Sequence, residues 1–209
     1  KYSDDRKTEI SDVLGEVDIE DLIPEEECVI TKTQNGYIKR VPASEYSVQN
    51  RGGKGIKGMN TREDDIVQNM FVCSSHDSIM MFTNLGRVYR IKAYEIPEAA
   101  RTAKGTPAVN FLNLLQRERI TAVIPIKEFA EDKFLIAVTK DGTIKKTALS
   151  NFDTNRKTGL IAMNLKDGDE LIGIKQTTGN NKVIIVTKHG KCISFSEEDV
   201  LPMGRIAGG

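Results

Sequence analysis

Apolar, β-branched runs recur along this chain at near-constant spacing, and each ends in the same polar signature. The four copies read Cys28-Val29-Ile30-Thr31-Lys32-Thr33-Gln34-Asn35-Gly36, Ile79-Met80-Met81-Phe82-Thr83-Asn84-Leu85-Gly86, Leu135-Ile136-Ala137-Val138-Thr139-Lys140-Asp141-Gly142 and Val183-Ile184-Ile185-Val186-Thr187-Lys188-His189-Gly190. Their glycines are 50, 56 and 48 residues apart. Each copy reads as a β-hairpin. Asn35-Gly36 and Asp141-Gly142 suit a two-residue primed turn, which needs positive φ.

The match continues beyond each turn. An apolar residue stands two places on (Ile38, Val88, Ile144, Cys192), and a cation two further in three copies (Arg40, Arg90, Lys146, with Ser194 in the fourth). Tyr46, Ile96, Phe152 or Val200 follows, then a second glycine: Gly55, Gly105, Gly159 and Gly204. Ile66-Val67, Ile120 to Ile124 and Leu171 to Ile174 supply a further apolar stretch in the first three copies. A period near 50 with about four short strands per unit and almost no helix predicts an all-β, propeller-like array of four-stranded blades. About four repeats are present, and the fourth reaches Gly209 without its last strand, so a partial array is expected.

Composition sharpens this picture in two places. The formal net charge of zero divides unevenly: residues 1–27 carry three basic and eleven acidic residues, leaving 27 basic and 19 acidic residues in 28–209. That division predicts an acidic linker, 1–27, ahead of a basic body, 28–209. The three cysteines, Cys28, Cys73 and Cys192, lie far apart in sequence, and with the isolated His76 and His189 they form no metal-ligand spacing. They are expected to be small reduced core residues in a cytoplasmic protein. No apolar run reaches the ~20 residues of a membrane-spanning helix.

Candidate chemistry concentrates in Gln49-Asn50-Arg51-Gly52-Gly53-Lys54-Gly55. Glycines let the backbone approach an anion closely, and Arg51 and Lys54 supply charge. An ordinary inter-strand loop explains the stretch equally well on local grounds. Gly53, Gly55 and Gly58 spell a dinucleotide fingerprint in outline, but a polar loop follows where a helix is required. A phosphate-binding Walker loop fails as well, because Met59 stands where lysine is needed. Acids show no recurrent pairing, no nucleophile–base set is evident, and Tyr37, Tyr46, Tyr89 and Tyr94 read as packing residues.

The segment resembles the signature box (Gln-Arg-Arg-Gly-Gly-Lys-Gly) of the C-terminal domains of DNA gyrase A subunits, in the type IIA topoisomerase family. It differs at Asn50, where the family has arginine. Arg101-Thr102-Ala103-Lys104-Gly105 and Arg156-Lys157-Thr158-Gly159 resemble the degenerate boxes of later blades, and Lys1 to Ile10 resembles the segment leaving the family's coiled coil. The resemblance implies a β-pinwheel that binds and wraps duplex DNA non-specifically on its rim. It implies no catalysis in this fragment, because the strand-cleaving tyrosine lies upstream. It further implies ATP and Mg bound elsewhere in a complex of two A and two B subunits, and a place on the nucleoid. The DNA-contact residues it implies are Gln49, Asn50, Arg51, Gly52, Gly53, Lys54, Gly55, Lys57, Arg101, Lys104, Arg156 and Lys157. The hairpin cations Lys39, Arg40, Arg90, Lys145 and Lys146 are secondary candidates. The corresponding domain of topoisomerase IV and a protein-binding propeller scaffold remain as alternatives.

Overall fold

The computed structural model describes residues 19–46, 58–61, 64–154 and 159–209. In chain order its strands are β1 (Glu27–Thr33), β2 (Tyr37–Pro42), β3 (Val67–Ser74), β4 (Ser78–Thr83), β5 (Arg87–Lys92), β6 (Thr106–Pro107) and β7 (Ile120–Ile126). They continue with β8 (Phe134–Thr139), β9 (Ile144–Ala148), β10 (Leu160–Ile161), β11 (Leu171–Thr177), β12 (Lys182–Val186) and β13 (Cys192–Ser196). All helix among the described residues is short and 3-10.

Four sheets result, one for each hairpin: β3-β1-β2-β6, β10-β5-β4-β7, β11-β8-β9 and β12-β13. The hairpins share one register. Ile38 pairs with Lys32, Val88 with Phe82, Ile144 with Val138 and Cys192 with Val186, so the repeat found in sequence is a repeat of pairing. The expected third strands are β3, β7 and β11.

The closing strand departs from expectation. The sequence repeat predicts that each copy supplies its own four strands. Instead β6, which belongs to the second copy, pairs with β2 of the first, and β10 of the third copy pairs with β5 of the second. The first two blades therefore each borrow their outermost strand from the next, which hides an edge that would otherwise expose unpaired N–H and C=O groups.

The turns differ too. The glycine N–H donates to the threonine carbonyl in every copy, Gly36 to Thr33 at 3.1 Å and Gly142 to Thr139 at 3.1 Å. Gly36 and Gly142 have φ of 83° and 87°, yet Asn35 and Asp141 keep negative φ. In the third copy the Thr139 N–H also donates to the Thr143 carbonyl at 2.9 Å. This is a three-residue loop with one left-handed residue, where a primed turn would need two. The threonine hydroxyl accounts for the preference: it accepts the N–H of Tyr37 or Thr143 at 3.1 Å and fixes the wider turn.

An acid two residues ahead of each third strand completes the turn, a recurrence that the hairpin pattern alone does not disclose. Asp65 Oδ1 accepts the Asn35 N–H, Asp169 Oδ1 accepts the Asp141 N–H, and Glu118 accepts the Thr83 and Tyr89 hydroxyls. The Thr139 hydroxyl and the backbone N–H groups of Asp141 and Glu170 hold Asp169 below the usual carboxylate range.

The core lies between blades. β4 is buried along its whole length because both faces are covered. Ile79 and Met81 pack towards the first blade with Cys28, Ile30 and Ile38. Met80 and Phe82 pack towards the third with Leu135, Ala137 and Phe152. The fourth sheet has no such cover among the described residues, and Ile184, Val186 and Ile193 are exposed. Cys28 and Cys73 are buried as expected, but Cys192 is exposed on that sheet. Residues 19–27 lie against the first two blades: Lys92 pairs with Glu20 at 2.7 Å and Arg40 with Glu26 at 3.1 Å.

Candidate nucleic-acid interface

Strand exchange decides where the candidate loops go. A chain that crosses from β5 to close the neighbouring sheet as β6 must carry Arg101–Gly105 over the first blade. Gly105 makes the crossing at φ 81°. Its backbone passes so near β2 that a Cβ would meet the Ile38 carbonyl oxygen at 2.6 Å. The Arg101 N–H donates to Glu45 Oε2 at 3.2 Å, and the Lys104 ammonium lies 5.1 Å from the centre of the Tyr37 ring. The Asn60 N–H donates to the Thr102 carbonyl at 3.0 Å, so the chain following the first box runs beside the second.

Of the candidates read from sequence, Arg101 and Lys104 are placed by this geometry, both half-buried on the loop. Gln49, Asn50, Arg51, Gly52, Gly53, Lys54, Gly55, Lys57, Arg156 and Lys157 lie outside the described residues.

The hairpin cations are not rim charges. Lys39 is fully buried, and its ammonium donates to the carbonyls of Gly58 at 3.0 Å, Ala100 at 3.3 Å, Arg101 and Ala103 at 2.9 Å. Lys145 repeats the arrangement with Ala162 at 2.9 Å, Arg205 at 2.5 Å and Ala207 at 2.9 Å. Burial pulls both ammonium groups below the normal lysine range, Lys145 to about 8 with the Arg205 charge adding to the effect.

Arg40, Arg90 and Lys146 each reach into the next blade. Arg40 pairs with Glu98 at 2.8 Å, Arg90 with Asp153 at 3.2 Å and Lys146 with the buried Glu197 at 3.4 Å. Arg90 also stacks 4.3 Å from the Phe129 ring centre. The expectation that these five residues are secondary DNA contacts is therefore corrected. Their position on the second hairpin strand aims them at the adjoining blade, and carboxylates or carbonyls there already take their charge.

The fourth copy is also corrected. Its crossing glycine is Gly209, not Gly204. Gly209 has φ 104°, and a Cβ there would lie 2.9 Å from the Ile144 carbonyl oxygen, as at Gly105 over Ile38. Gly204 has nothing within 4 Å of such a Cβ. The shift reveals Arg205, four residues before the crossing glycine just as Arg101 is, and absent from the candidates that the sequence motifs supply. Its backbone carbonyl accepts from Lys145, and its guanidinium donates to the Ile161 carbonyl at 2.5 Å. Spacing from the hairpin is the signal that finds it: Gly209 follows Gly190 by the 19 residues that separate Gly105 from Gly86.

Among the described residues no three His, Cys, Asp or Glu side chains are grouped to hold a metal ion. Cys28 and Cys73 oppose each other across β1 and β3 with their sulfurs 3.7 Å apart. The hydrogen bond between them lowers the Cys28 thiol and, with burial, raises that of Cys73.

The family model described as "DNA gyrase C-terminal domain, beta-propeller" matches residues 29–74, 77–127, 133–178 and 181–209. The chain belongs to the DNA gyrase A C-terminal domain family. Its four matched units follow the sequence repeat, and the unit 77–127 carries the β6 strand that closes the sheet of the unit before it.

Among curated members of the family, the chain is 54% identical to the DNA gyrase A subunit of Clostridium acetobutylicum over 99% of its own length. It is 53% identical to that of Halalkalibacterium halodurans over its whole length. It spans 25% of each of those relatives. Among solved structures it is similar to a DNA gyrase A C-terminal domain, with TM-score 0.66 and 29% identity, covering 88% of this chain and 59% of that one. It is also similar to the C-terminal domain of a DNA topoisomerase IV, with TM-score 0.77 and 27% identity, covering 90% of this chain and 57% of the other. The architecture is thus the gyrase-type β-pinwheel.

Proposed function

We propose that this chain binds duplex DNA without sequence preference along the loops that carry Arg51, Lys54, Arg101, Lys104, Arg156, Lys157 and Arg205, and bends it around the blade edges. The observation that supports this most is the crossing geometry: a cationic loop is laid against the preceding blade at Arg101–Gly105 and again at Arg205–Gly209. Cations in such a row neutralise successive phosphates and release condensed counterions. Bending 20–30 bp costs about 1–6 kcal/mol by smooth elastic estimates, so several contacts have to share the load.

Within the whole gyrase, such wrapping would give the DNA leaving the cleavage site a single handedness. Residues 1–27 would connect this body to the coiled coil and cleavage domain. ATP and Mg would bind elsewhere in a complex of two A and two B subunits, and ATP turnover would drive negative supercoiling on the nucleoid in the cytoplasm. The fragment itself would do no chemistry. The box at Gln49–Gly55 and the gyrase relatives favour this reading over the topoisomerase IV counterpart.

A salt titration tests it. Affinity for a random-sequence duplex should fall linearly in log–log terms, at about 0.9 per phosphate neutralised. A flat response, or a strong preference for one sequence, would overturn the reading.

A further inference from the structure

Among the described residues four lysines are buried, Lys32, Lys39, Lys145 and Lys146, and the partners of Lys39 and Lys145 share one address. Lys39 and Lys145 each stand three residues after a hairpin glycine. Each ammonium takes the carbonyls four and two residues before the next blade's crossing glycine. For Lys39 these are Arg101 and Ala103 before Gly105, and for Lys145 they are Arg205 and Ala207 before Gly209. Each also takes the carbonyl three residues after its own copy's second glycine, Gly58 after Gly55 and Ala162 after Gly159.

Backbone carbonyls that converge on a point in a loop repel one another and turn away unless a donor joins them. A buried ammonium has three N–H donors, and leaving them without acceptors would cost several kcal/mol. Each side therefore requires the other. Turning the carbonyls of Arg101 and Ala103 inwards fixes the backbone from which the Arg101 and Lys104 side chains depart. The second blade has Tyr89 at the matching position. Its hydroxyl goes to the Asn113 carbonyl at 2.8 Å and to Glu118, so Tyr89 joins no loops in this way.

We infer that Lys39 and Lys145 are positioning residues for DNA binding: each buried ammonium holds the cationic loop of the following blade in its phosphate-contacting conformation without touching DNA. The inference rests on the proposed DNA-binding function and adds that the loops are set in pairs, first with second and third with fourth.

The test uses Lys39→Met and Lys145→Met in the full chain. Both variants are measured by amide hydrogen exchange and by the salt dependence of binding to a random duplex of about 40 bp, long enough for several phosphate contacts. In Lys39→Met, exchange at the Asn60, Arg101 and Ala103 amides should quicken at least about tenfold while β1 and β4 amides keep their rates. The salt slope should fall by about two, the two phosphates assigned to Arg101 and Lys104 at roughly 0.9 each. An Arg101→Ala/Lys104→Ala chain should already have lost that slope, and adding Lys39→Met to it should remove no more. Lys145→Met should quicken exchange at Asn164 and Ala207 in the same way.

A folded Lys39→Met chain with native loop exchange and native slope overturns the positioning role. So does loss of the cooperative unfolding transition in both variants, which would make the ammonium a requirement of folding. A wild-type chain with no salt slope would sink the DNA reading instead, and loop exchange would still judge the positioning.

Discussion

Gly105 passes over Ile38 with no room for a side chain: a Cβ on it would lie 2.6 Å from the Ile38 carbonyl oxygen. Gly142 has a similar φ, 87°, but nothing within 4 Å of the same point. Alanine at Gly142 should therefore cost only the left-handed strain, about 1–2 kcal/mol. Alanine at Gly105 should cost that and a backbone displacement as well, detaching β6 from β2. Urea unfolding of the two variants measures the difference, and equal losses would show that the crossing tolerates a methyl group.

Replacing Arg51 and Lys54 by alanine in the whole gyrase should abolish ATP-driven negative supercoiling while DNA cleavage and ATP-independent relaxation persist. Replacing two charged side chains in a polar stretch should leave circular dichroism unchanged. A plasmid topology assay decides the matter, and retained supercoiling in a folded variant would detach the mechanism from the box.

Arg90→Ala should behave in the opposite way. Its guanidinium is taken up by Asp153, by the Thr154 carbonyl and by the Phe129 ring. The salt slope for DNA should stay unchanged, and stability should drop by about 1 kcal/mol from the partly exposed ion pair and the stacked ring. A reduced slope would return Arg90 to the rim.

The Lys145 ammonium gives a pH signature. Its pKa is about 8 in the fold against 10.5 for the unperturbed side chain. Between those values the unfolded chain binds a proton that the folded chain does not, so this group makes stability rise with pH. Below about pH 8 both states are charged and the contribution is flat. The melting temperature of the wild type relative to Lys145→Met should therefore be higher at about pH 10 than at about pH 7.5, and a constant difference would contradict the burial.

Thiol labelling reads the packing. Cys28 and Cys73 are buried and Cys192 is exposed. The native chain should react rapidly with one equivalent of an aromatic disulfide reagent, at Cys192, and with all three cysteines after denaturation. Rapid reaction of all three in the native state would mean that the first blade opens.

Much of this architecture is written in local chemistry. Threonine, two residues and glycine mark each turn, and apolar alternation marks each strand, because both depend on neighbours along the chain. The partner of β6 cannot be read this way. Thr106 and Pro107 carry no strand pattern of their own and pair only because the crossing loop delivers them to Tyr37 and Ile38. Lys39 and Lys145 mislead for a related reason: a lysine in an alternating strand resembles a solvent-facing charge, and only carbonyls distant in sequence, from its own copy and the next, make its burial tolerable. Arg205 stays hidden while the nearest glycine, Gly204, is taken as the equivalent, because only the crossing geometry selects Gly209.

Exchange of the closing strand puts the folding unit out of phase with the sequence unit. The span from β1 to β6, Glu27 to Pro107, must be made before the first sheet is complete, and β4 to β10 needs Ser78 to Ile161. These spans overlap, so neither of these two blades can finish before its successor has begun. A nascent chain emerging from the ribosome would carry an open, β-prone edge at its growing end while they are made. Protection of that edge, by speed of synthesis or by a chaperone, would then be a requirement of biogenesis that the finished array no longer displays.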